Sequence, residues 1–190
     1  MSLKLFRSTG YSSILAPGET RAAMHPAWVV VATSLWIGFA CNVGLWRALM
    51  PPGEPTASLA WSLAAGFFAA GASAAFLNLL GWRRTLKPAA TLLLLLAAVV
   101  ACGIWAQSTP LDASLLGKRP GALLPPWASL LGWQVPALLV VLGLLPMLWV
   151  WNVQLRRLPG PQQLSANLAG MVAATAAVGA SGWLLMSGFA

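Results

Sequence analysis

Carboxylates are scarce in this chain. Glu19, Glu54 and Asp112 are its only acids in 190 residues, and His25 is its only histidine. A metal centre needs three or four converging ligands, and residues so few and so widely spaced cannot supply them. The glycines are scattered through apolar runs, without the spacing of a phosphate-cradling or dinucleotide-binding loop. Charge of any sign is scarce too: 7% of residues are charged and 59% are apolar, against about 45–50% apolar in soluble domains. That excludes a water-soluble domain, because the chain cannot cover itself with polar surface. The charge that exists is one-sided, with 11 cations and a net charge of +8. Those cations lie between apolar runs and do not share a polar face with exposed aromatics, which argues against nucleic-acid binding.

Long apolar runs are what the sequence has instead. About 20 apolar residues in a helix cross the hydrocarbon core of a bilayer. Five such runs are present, at about 25–46, 58–82, 87–106, 127–152 and 164–189, none with an Asp, Glu or Arg in its middle. In lipid the backbone must satisfy its own hydrogen bonds, which forces helices; the short alternating segments of a membrane barrel are missing. The expected fold is all-α and polytopic, with five transmembrane helices over 25–190 after an N-terminal segment, 1–24.

Orientation follows from the cations. Lys4, Arg7 and Arg21 precede the first span, Arg83, Arg84 and Lys87 join the second to the third, and Arg156 and Arg157 join the fourth to the fifth. The opposite side holds Arg47, Lys118 and Arg119. The positive-inside rule then places the N-terminus in the cytoplasm and the C-terminus on the periplasmic side. His25 and Asp112 fall on opposite sides, which rules out a relay joining them. Indole prefers the membrane interface, and ten of the 11 tryptophans fall near a proposed span end; Trp36 alone is mid-span. Residues 1–24 lack the continuous apolar core of a secretory signal, and their Leu3, Leu5, Phe6, Tyr11, Ile14 and Leu15 suit either an interfacial amphipathic segment or a tail.

Small residues at four-residue spacing mark helix-packing or partner-facing surfaces: Gly66, Ala70 and Ala74 in the second span, and Ala166, Gly170 and Ala174 in the fifth. Asn42, Asn78, Gln134 and Asn167 are intramembrane amides, read as glue between helices. Pro136 and Pro146 are expected to kink the fourth span, and Pro88 to occupy the first turn of the third. His25 reads as a helix-start residue. Cys41 and Cys102 fall at similar depth and read as small buried hydrophobes, with a disulfide the alternative.

Four stretches carry a resemblance: "NVGLWR" at 42–47, "LKPAATLLLLLAAV" at 86–99, "PLDASLL" at 110–116 and "GLLPMLWVW" at 143–151. In this order and spacing the chain resembles the membrane domain of the bacterial lipid A phosphoethanolamine transferase family, over about residues 25–189. The resemblance implies a five-span inner-membrane domain followed, in the family, by a zinc-dependent periplasmic domain holding a threonine nucleophile and the zinc ligands. These 190 residues stop where that domain would begin. The family's outer loop carries an Asn, a Thr and a Glu near the lipid headgroup; here Gly117, Lys118, Arg119 and Pro120 occupy that stretch. Asp112 alone carries over, and Lys118 and Arg119 are candidates for a lipid phosphate.

The expectation is a non-catalytic membrane protein with no cofactor and no metal, whose partners are membrane lipids and other integral membrane chains but no nucleic acid. Its role is either that of a lipid-contacting, incomplete transferase module or that of an accessory subunit of a respiratory or photosynthetic membrane complex. A transporter ranks last, since no internal repeat or mid-membrane charge is seen.

Overall fold

The computed structural model describes residues 23–49, 59–107, 120–156 and 158–187, and every long element among them is a helix. Three helices are continuous and long enough to cross a bilayer: α3 (Leu59–Leu79), α4 (Arg83–Ala106) and α8 (Gly160–Ser187). The fourth span, Gln134–Asn152, is α6 (Gln134–Leu139), a π-helical turn (Val140–Leu144) and α7 (Leu145–Asn152) in sequence. A short helix, α5 (Trp127–Leu130), stands before it as a separate piece. The first span is broken. It consists of α1 (Pro26–Leu35) running into a π-helical turn (Trp36–Ala40), then α2 (Val43–Leu49), with a bend of 54° between the two parts. Among the described residues there are thus four helices of membrane length, and five spans with the bent pair counted as one.

Local chemistry sets these boundaries. His25 Nδ1 accepts the Ala27 N–H and Pro26 opens α1, so the lone histidine is a helix cap. The third span begins at Arg83, one turn before its expected start at 87, because residues 80–82 alone suffice to reverse the chain. Pro88 therefore lies in the second turn, not the first, and offers no N–H to the Arg84 carbonyl. The fourth span takes up Pro146 through its π-helical turn and runs on as one span without a sharp bend.

The helix α3 is the axis of the bundle. It packs along α8 on one side and along the first span on the other. The helix α4 packs against the fourth span, and the first span lies between the two halves. A buried cluster joins α1, α3, α4 and α7 at the cation-rich end: Val29 and Val30 of α1, Leu77 of α3, Leu86, Ala90 and Leu94 of α4, Val150 of α7, and Leu155. There the chain entering α1 is stapled to the chain leaving α7. The Met24 N–H donates to Gln154 O at 2.9 Å and the Arg156 N–H to Met24 O at 3.0 Å. Cys41 and Cys102 are free thiols. The N-terminal segment, read as either interfacial or a tail, lies outside the described residues up to Ala22.

Candidate lipid-facing sites

The bent first span and the proline-bearing fourth span meet in mid-membrane. A proline at 146 cannot give the N–H that an α-helix would offer to the carbonyl of residue 142. The indole of Trp36 supplies it: Nε1 donates to Leu142 O at 3.0 Å. The one tryptophan that is far from an interface therefore satisfies a carbonyl that lipid could not. The break in the first span is treated the same way. The Trp46 indole donates to Ala40 O at 3.0 Å. Asn42 accepts the Leu45 N–H at 3.1 Å, capping α2, and its Nδ2 donates to Ser62 O of α3 at 2.9 Å.

The small-residue faces are divided between partners within the chain. Gly66 and Ala70 face the first span: a Cβ on Gly66 would lie 2.8 Å from Gly38 O, and one on Gly38 2.7 Å from the Ala70 Cβ. The next face of α3 meets α8. A Cβ on Gly71 would lie 3.1 Å from Ala174 O, and one on Gly170 2.7 Å from the Asn78 amide carbon. Ala74 packs on the buried cluster. At the end of this contact, Gln163 Nε2 donates to Gly81 O at 2.7 Å and to Asn167 Oδ1 at 3.0 Å. Gln163 was missed by the sequence reading because it precedes the apolar run it anchors. The reading of amides as glue between helices holds for Asn42; Asn167 bonds to Gln163 of its own helix, Asn78 turns back to Ala74 O, and Gln134 is exposed.

Two lateral grooves open toward the bilayer. One, about 340 Å³, lies between the first and fourth spans and is lined by Thr33, Trp36, Pro146 and Trp149 among others. The second, about 240 Å³, lies among α1, α3 and α8 and includes Ser34, Phe67, Gly71 and Ala174. No titratable side chain lines either, so both can hold a chain or a helix and neither can carry acid–base chemistry. Thr33 and Ser34 each bring a buried hydroxyl with no hydrogen-bond partner among the described residues.

Asp112, Lys118 and Arg119, the candidates for a headgroup, lie outside the described residues. The ends of their loop are described and are tied together: Gln107 Nε2 donates to Leu124 O at 2.8 Å, and Gly103 packs directly on the Leu123 carbonyl. At the same end Arg47 Nη2 donates to Ile104 O at 3.0 Å, a cation on the C-terminal carbonyls of α4.

Compared with known families, residues 69–190 match the model of the phosphoethanolamine transferase EptA/EptB N-terminal domain. The match takes in most of α3, all of α4, the fourth span and α8. The chain belongs to this transferase family. No curated protein and no solved structure matches it. The matched part includes "LKPAATLLLLLAAV", "PLDASLL" and "GLLPMLWVW", whereas "NVGLWR" and the broken first span precede it. What the 190 residues hold is the family's multi-pass inner-membrane domain; its catalytic domain is not evident in them. The described residues offer no fit for the zinc that the family implies. Among the described residues no three His, Cys, Asp or Glu side chains group together, and the His25 ring is engaged in capping α1.

Proposed function

We propose that these residues form a non-catalytic, lipid-contacting membrane module of the transferase family, oriented with the N-terminus in the cytoplasm. One observation carries the reading: the family match falls on membrane helices in a sequence with only three acids and one histidine. A zinc-dependent transferase centre needs several such ligands together. The purified chain should bind no stoichiometric zinc and transfer no phosphoethanolamine to a lipid acceptor. Transfer that persists after co-purifying enzymes are removed overturns the non-catalytic reading.

The orientation rests on the charge bias between the two ends. Reporter fusions at Gly53 and Gly121 should read as periplasmic and one at Thr85 as cytoplasmic. A periplasmic signal at Thr85 rejects it.

A second reading, an accessory subunit of a larger respiratory or photosynthetic membrane complex, draws on α8. Ala169, Ala176, Gly179 and Ala180 are exposed there, and a Cβ on Gly179 would meet nothing within 4 Å. Small outward residues let another helix approach closely. Haem- or pigment-bearing chains retained in native nanodiscs favour this reading; a strictly monomeric protein rejects it.

A further inference from the structure

The cation-rich end of the bundle carries an arrangement that the transferase reading leaves unused. Lys87, at the start of the second turn of α4, donates from Nζ to Trp151 O at 3.0 Å, and the same nitrogen lies 5.9 Å from the centre of the Trp151 ring. The Trp151 indole donates to Thr91 Oγ1 at 3.0 Å, and that hydroxyl donates to Lys87 O at 2.9 Å. A closed set of contacts thus fixes the ammonium at the C-terminal carbonyls of α7, where a cation is favoured. An ammonium has three donors, and the Trp151 carbonyl takes one of them.

Among the other cations of this end, Arg84 and Arg156 stand on the two chain segments that Lys87 and Trp151 join. Arg84, Lys87 and Thr91 are spaced three and four residues apart, so they share one stripe of α4. Arg84 is exposed and continues that stripe one turn toward the N-terminus of α4. Arg156 arrives from the other element. Its N–H is tied to Met24 O, and the preceding Leu155 is buried in the same cluster as Leu86, the neighbour of Lys87. No carboxylate is present among the described residues to balance the three. Trp82 and Trp151 are both 53% exposed at this level, which puts apolar rings beside the cations. The charge rule alone accounts for cations in a loop. It does not account for a lysine held on an indole face and a helix C-terminus, with rings left open beside it. That combination fits a ligand with a phosphate next to an apolar body.

We propose that Arg84, Lys87 and Arg156, on the helix ends that the Lys87–Trp151 contact brings together, bind the phosphate of an anionic glycerophospholipid at the cation-rich end of the bundle. The phosphate takes the remaining ammonium donors and the guanidinium groups, and the first part of the acyl chains lies against the exposed indoles. Lipid phosphates at such basic sites between helix ends are held chiefly by charge. The proposal needs the bilayer setting but neither the orientation nor the non-catalytic role, so a transfer assay and this test fail independently.

The test uses the full chain in nanodiscs of phosphatidylcholine with a minor share of phosphatidylglycerol, and native mass spectrometry of the lipid retained on release. Phosphatidylglycerol should be enriched over phosphatidylcholine. Arg84→Gln, Lys87→Gln and Arg156→Gln should each lower that enrichment about fivefold. Lys87→Arg should restore it, which a purely structural lysine would not predict. Excess inorganic phosphate should leave the lipid in place; displacement would reassign the cluster to a free anion and overturn the proposal. Undiminished enrichment in the Arg84→Gln/Lys87→Gln double variant, with melting unchanged, overturns it as well.

Discussion

Gly38→Leu will prevent accumulation of the folded bundle, whereas Gly179→Leu will be tolerated. The two glycines are alike in sequence terms, each inside an apolar run, but they meet different surroundings. A Cβ on Gly38 would fall 2.7 Å from the Ala70 Cβ and 3.1 Å from the Ala70 nitrogen, with the Gly66 carbonyl oxygen closer still. These are backbone and near-backbone atoms of α3, which cannot rotate out of the way. The first span bends next to this crossing, so relieving the clash would mean separating it from the axis of the bundle. Overpacking of a core usually costs about 1–3 kcal/mol, and a backbone-to-backbone clash lies at or above that range. A loss of that size is a large part of the stability of a typical domain. Gly170→Leu should fall in between. Its nearest neighbours are atoms of the Asn78 side chain, which can swing aside at the loss of its hydrogen bond to Ala74 O. Size-exclusion profiles and thermal melting in detergent measure all three. A Gly38→Leu protein that melts like the parent, or a Gly179→Leu protein that melts lower than Gly38→Leu, would show that the crossing has been misplaced.

The order Gly38, Gly170, Gly179 could not have been read from the sequence. Four-residue spacing marked Gly66 and Ala70, and Gly170 and Ala174, as small faces. Spacing says that a face is narrow but not which helix fills it. The helix α3 presents two such faces on different sides, Gly66 and Ala70 to the first span and Gly71 to α8. The pairing of Gly66 with Gly38 had no periodic signal, because Gly38 lies in a π-helical turn where the helical repeat is interrupted. The apolar length of the spans was legible because a bilayer sets it. The broken first span was not, because its hydropathy runs through Cys41 and Asn42 without a dip large enough to notice. Asn42 was visible as an intramembrane amide; its capping of α2 depends on a break that only the packing of Gly38 on α3 makes favourable. The cations gave an orientation by their distribution alone. That Lys87 sits on Trp151 and the α7 carbonyls depends on how α4 meets α7, which no local pattern records. The headgroup candidates Asp112, Lys118 and Arg119 stay as the resemblance left them.

Trp36→Phe should lower stability by about 1–2 kcal/mol, although the ring it leaves still fills the space. The loss is that of a donor. Leu142 O faces Trp36 Nε1 at 3.0 Å, and the residue whose N–H would serve that carbonyl in an α-helix is Pro146. With the indole gone the carbonyl loses its side-chain donor, and at this depth no water replaces it. The argument makes a second demand that a simple packing account does not. Pro146→Ala returns an N–H to position 146 and lets the turn relax toward α-helical geometry, so Leu142 O no longer needs the indole. Trp36→Phe should therefore cost much less in the Pro146→Ala background than in the parent chain. The interaction energy between the two sites, taken from the four melting curves, should approach the full effect of Trp36→Phe alone. Pro146→Ala by itself should be close to neutral, since it gains a backbone bond and frees the indole at once. If the two substitutions simply add, the tryptophan is in mid-membrane for its bulk, and the hydrogen bond to Leu142 is incidental. If they couple as expected, the proline and the tryptophan form one device: the proline opens the fourth span at the level where the first span bends, and the indole closes the gap between them.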